Sequence, residues 1–191
     1  MALARPPVPS TLLPSEMPDP NGRAAELDRA YRTLCRGARF FAGPMGQGAT
    51  RPESAVPISH RHRSKWIGNG LRELDRFLHH LLDAVAHAHG LGAAPGQRNS
   101  ATKLRALHAA LGHGDDDHGR LLGLGGTRAC LFHCDGILRS HAMATACWSG
   151  LGRSGTPPAP DPGTMLVILP TDLQCVGHFY RRLADDLVQR P

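Results

Sequence analysis

Lysine is nearly missing from this chain: Lys65 and Lys103 stand alone beside twenty arginines (22 Lys+Arg less two). Missing too is any run of about 18 apolar residues, so no segment can span a bilayer as a helix. Aromatic residues make up only 5 % of the chain, and its core must therefore be mainly aliphatic. There is no Cys-x2-Cys pair. Five cysteines are an odd number, which argues for reduced thiols rather than a disulfide framework. No Gly-x-Ser-x-Gly elbow is present, and Gly123-x-Gly125-Gly126 follows no strand, so neither a hydrolase elbow nor a phosphate-cradling glycine loop is indicated. Prolines break up the first twenty residues, so no secretory signal is read there and a cytoplasmic location is expected.

What is present is arginine, alanine, glycine, proline and histidine in plenty, a bias that G- and C-rich coding also produces. The 191 residues fit one domain with a proper core. A net charge of +6 and a pI near 9.5 suit an anionic partner such as nucleic acid.

The pattern along the chain predicts an all-α fold: a single helical bundle of about five helices, with a small β-hairpin before the C-terminal helix. Residues 1–20 read as a disordered Pro-rich tail and residues 21–191 as the helical domain, which carries a Pro/Gly loop at 150–163. Leu27, Tyr31, Leu34, Ala38 and Phe41 recur at steps of four and three, giving a first amphipathic helix with Asn21 as its cap. Gly43 to Pro57 reads as a loop. The longest helix is expected from about Lys65 to Ala88, on Leu71, Leu74, Leu78, Leu81, Leu82 and Val85. A shorter one follows, capped by Asn99 or Ser100. The glycines at 123, 125 and 126 predict a break in the next helix, with a restart capped by Thr127. Residues 142–148 and the run Thr164–Leu169 are expected to pair as the hairpin. Thr171 and Gln174 predict a capping box for the last helix.

Two clusters carry candidate chemistry. Arg61, Arg63 and Lys65, with His60, His62 and Trp66 among them, form a basic stretch able to contact a phosphate backbone, although such stretches commonly serve as solvated helix starts. The second is Arg128-Ala-Cys-Leu-Phe-His133, an arginine and a histidine separated by four residues. The same type of spacing recurs at Arg72 and His79.

The Arg128–His133 segment resembles the Arg-x4–6-His motif of HEPN domains. That resemblance implies a four- to five-helix bundle, often dimeric, of a kind found among the RNases of toxin–antitoxin and defence systems. It also implies RNA cleavage without a metal or other cofactor: His133 as general base on the ribose 2′-hydroxyl, Arg128 as holder of the scissile phosphate. Ala129 stands where the family commonly has a polar residue.

Two other classes fit the same residues. Cys130, His133 and Cys134 have the i, i+3, i+4 spacing of a zinc-chelating helix face. The chain also fits a non-enzymatic, homodimeric interaction module that binds a protein partner, in which Arg128 and His133 are structural. The turn Gly112–Gly119 mixes three aspartates with histidines but lacks the alternation of a calcium loop, so it is expected to place acid at a helix N-terminus.

Overall fold

The computed structural model describes residues 20–43, 60–92, 99–157, 159, 161 and 163–189. The assigned tail therefore lies outside the described residues except for Pro20, as does most of the loop expected at 43–57. Six helices are present among the described residues: α1 (Pro20–Ala42), α2 (His60–Ala88), α3 (Ser100–Leu111), α4 (His118–His133), α5 (His141–Leu151) and α6 (Pro170–Gln189).

α1, α2 and α6 bury the apolar rows that the sequence shows. Leu34, Ala38 and Phe41 of α1 meet Leu74, Leu78 and Leu81 of α2, together with Val176, Phe179, Tyr180 and Leu183 of α6, in one core. Each fully buried leucine contributes on the order of 1.5–3 kcal/mol. α3 packs across α2 and α4, and its start is fixed by Asn99, whose side chain accepts from the Ala101 N–H.

The expected break in α4 does not occur. α4 runs unbroken, and two of its glycines, Gly123 and Gly126, form its contact with α5. A Cβ on Gly123 would stand 2.6 Å from the Gly150 nitrogen and 2.7 Å from the Ala146 carbonyl oxygen, so only hydrogen side chains let the two backbones come this close. Thr127 does not cap a second helix. Its hydroxyl donates to the Gly123 carbonyl (2.9 Å), a bond inside the continuous helix.

The β-hairpin is likewise absent among the described residues, and a helix, α5, stands where its first strand was expected. Ser140 caps α5 by accepting from the Met143 N–H (3.2 Å), and Ala144, Cys147 and Leu151 recur at helical steps on its buried side. The Thr164–Leu169 run is extended, with Leu166 and Ile168 inward and Met165, Val167 and Leu169 outward. It pairs with the turn after α4 through one antiparallel bridge, Ile137 to Met165.

Three helix starts also move. α1 begins at Pro20, so Asn21, expected as its cap, lies inside the helix. α2 begins at His60, five residues before the expected Lys65, so the basic stretch forms its first two turns. α6 begins at Pro170, a favoured residue for a first helical position, and the reach-back group is Asp172 rather than Gln174. Asp172 Oδ2 accepts from the Leu169 N–H (2.7 Å), and both its oxygens take the Arg153 guanidinium (2.9 and 2.6 Å).

Candidate functional site in the seam between α2 and α4

α2 and α4 run antiparallel, and three contacts give their register. Arg61 pairs with Asp135 just past α4 (3.4 Å), a Cβ on Gly68 would press on the Phe132 ring at 3.1 Å, and Asp75 pairs with Arg128 (3.1 Å). With 100° per residue, Gly68 and Asp75 lie on the side of α2 that faces α4. Arg61 and, one turn on, Lys65 follow on the adjoining strip of α2, whereas Arg72 and Arg76 turn away toward Glu73, with Arg76 over the Phe77 ring at 5.3 Å.

All four cations are exposed. Glu73 pairs with Arg72 (3.6 Å) and Arg76 (2.7 Å), and these surface pairs are weak, about 0–1 kcal/mol each. Arg63 does not join Arg61 and Lys65. Its Nη2 donates to the Ile168 carbonyl (3.3 Å), on the flank where the extended segment lies. The structure thus places Arg61 at the seam with Lys65 one turn on, while Arg63 turns to the extended segment, where it lines a small pocket with Ile67 and Leu131.

On the α4 side, Arg128 points toward α2 and His133 is exposed at the helix end. They are five positions apart, about 140° round the helix and roughly 7.5 Å along it, so they do not stack. Ala129, also exposed, lies between the two on the helix surface, and its methyl group leaves the path from guanidinium to imidazole open.

Below Arg128 is a small pocket lined by Leu71, Asp75, Leu121, Leu124, Gly125 and Tyr180. Tyr180 is fully buried, and burial raises its phenol above the usual range; Asp75 adds to that shift while Arg128 and Arg120 oppose it. Asp75, Arg76 and Tyr180 were not singled out by motif, whereas Arg72 was, through its spacing to His79. The arginine that Asp75 pairs with is 53 residues away, and no local pattern marks it.

The three zinc candidates face different ways. Cys130 is fully buried and its Sγ contacts the Ile137 carbonyl (3.7 Å), Cys134 is half-buried, and His133 is exposed. The Cys130 thiol is raised by its hydrogen bond with Cys147 and by burial, which leaves Cys147 lowered as the receiving partner. Among the described residues no three His, Cys, Asp or Glu side chains are grouped to hold a metal ion. The aspartate turn is engaged internally: Asp117, at the N-cap position of α4, takes Arg182 of α6 (2.6 Å). No helix is long and apolar enough to cross a membrane among the described residues.

No family model, curated protein or solved structure matches this chain.

Proposed function

We propose that this chain is a HEPN-like RNA-binding protein that cleaves RNA without a metal ion, with the α2–α4 seam as its RNA site. The observation that supports this most is the register set by Arg61–Asp135 and Asp75–Arg128, which brings Arg61, with Lys65 one turn on, beside the helix that carries Arg128 and His133. Cations one turn apart along a helix suit one sugar-phosphate strand, and a strand crossing Ala129 meets both motif residues.

In this reading His133 removes the 2′-hydroxyl proton and the 2′-oxygen bonds to phosphorus. The P–O5′ bond breaks as the leaving 5′-oxygen takes a proton from water, giving a 2′,3′-cyclic phosphate and a 5′-hydroxyl. Arg128 forks the charge that builds on the phosphate oxygens, where a guanidinium is worth more than an ammonium. Two copies meeting across the outer face of α4, where Leu122 is 46 % exposed, would bring two such sites together.

The test is incubation of the purified chain with mixed RNA in EDTA, wild type beside His133→Ala. Cleavage lost only in the variant supports the reading, with cyclic-phosphate ends as its chemical signature. Binding without cleavage in either protein would leave an RNA-binding module, and a stable dimer that neither binds nor cleaves RNA would favour the non-enzymatic module. Each cation that contacts a phosphate should steepen the slope of log affinity against log salt by about 0.7 on single strands.

A further inference from the structure

We infer that Asp75 is the positioning residue for Arg128, an inference that rests on the RNA reading above. Asp75 is residue 16 of a 29-residue helix and Arg128 is well inside α4, so both backbones are far from fraying ends. The carboxylate engages Nη1 alone at 3.1 Å. Because the guanidinium is planar and its donors are fixed in a fork, holding one nitrogen orients the rest of the plane. Leu71, Leu121 and Leu124 wall the pair, and the Tyr180 ring lies beneath it. Arg128 is 37 % exposed, whereas Arg61, Arg72 and Arg76, paired on the open surface, are 60–68 % exposed.

A carboxylate beside a phosphate site also repels the phosphate, and the two effects predict opposite signs. With Asp75 34 % exposed, water and salt screen its repulsion of the more distant phosphate more than they weaken its direct 3.1 Å contact with Arg128. Orientation should therefore prevail, and removing the charge should slow the reaction rather than help it.

The test uses the full chain, a fluorescein-labelled mixed-sequence RNA oligonucleotide and EDTA buffer. Asp75→Asn, which keeps the shape, is expected to lower kcat on the order of tenfold with KM little changed. In a double-mutant cycle it should add nothing to Arg128→Ala, since it acts only through that arginine. A wild-type kcat in Asp75→Asn, a rise in kcat, or an effect that adds fully to Arg128→Ala overturns the inference. Should Asp75→Asn melt well below wild type, Asp75→Glu takes its place, and a kcat loss there that follows the melting shift counts against positioning.

Wild type that binds but does not cleave sinks the nuclease reading by itself. The cycle is then read on RNA affinity, where Asp75→Asn must weaken binding only in the presence of Arg128. Wild type that does neither overturns both.

Discussion

A mostly buried guanidinium and carboxylate stand or fall together, and Arg153 with Asp172 is such a pair, at 17 % and 8 % exposure. Asp172 also accepts the Leu169 N–H, and Arg153 stacks over the Trp148 ring at 4.5 Å. Asp172→Ala leaves Arg153 without its counter-charge and frees the start of α6, at a cost of about 3 kcal/mol, to be read as a lowered urea midpoint. A loss under about 1 kcal/mol would mean that water already screens the pair. Tyr31 gives a different single-residue effect. Its hydroxyl donates to Asp185 (2.7 Å), and that bond, with lesser help from Cys35 and burial, raises its pKa to about 12. The folded phenol thus holds its proton more tightly than the unfolded one at 10.0. Its contribution to stability is complete below pH 10 and is lost as the pH rises toward 12. Tyr31→Phe should therefore flatten the fall of Tm over that range, and an unchanged alkaline profile would refute the assignment. Arg128 and His133 were legible as residues, from type and spacing. Asp75 was not, because an ion pair across 53 positions leaves no trace in local pattern.

At the scale of elements, periodicity revealed α1, α2 and α6 because each presents one apolar side to one core. It misjudged α4 and α5 for a shared reason. Their contact is made of glycine and alanine backbone, which carries no hydrophobic signal, and glycines that look like breaks are the closest point between two helices. The strand expected at 142–148 fails by the same logic: alanines there are helix formers, and a serine cap sets their start. Gly150→Ala places a methyl group into the α4 backbone at Gly123 and should cost about 1–3 kcal/mol, seen as a lower Tm by circular dichroism. Gly125→Ala, on the same helix with nothing within 4 Å of the added Cβ, is the control. It should hold or raise stability, since alanine is the better helix residue. Equal losses in both would show that α4 and α5 are not in close contact in solution.

Across the whole molecule, α4 serves two surfaces at once, closing on α5 with its glycine side and on α2 with its arginine side. The seam's cations Arg61 and Lys65 were legible as a basic stretch, but that Arg63 parts from them to reach the Ile168 carbonyl shows only once the extended segment is in place. The extended run Thr164–Leu169 has a different consequence for the molecule. Its Val-Ile-Leu stretch is the kind of strand that recruits identical strands from other copies. The Val167 carbonyl, however, accepts from Arg153 and the Ile168 carbonyl from Arg63. Successive carbonyls of a strand point to opposite edges, so a guanidinium occupies an acceptor on each side. Fibril growth from this segment would first have to evict two arginines, which gives both of them a protective value against aggregation that neither folding nor RNA contact requires.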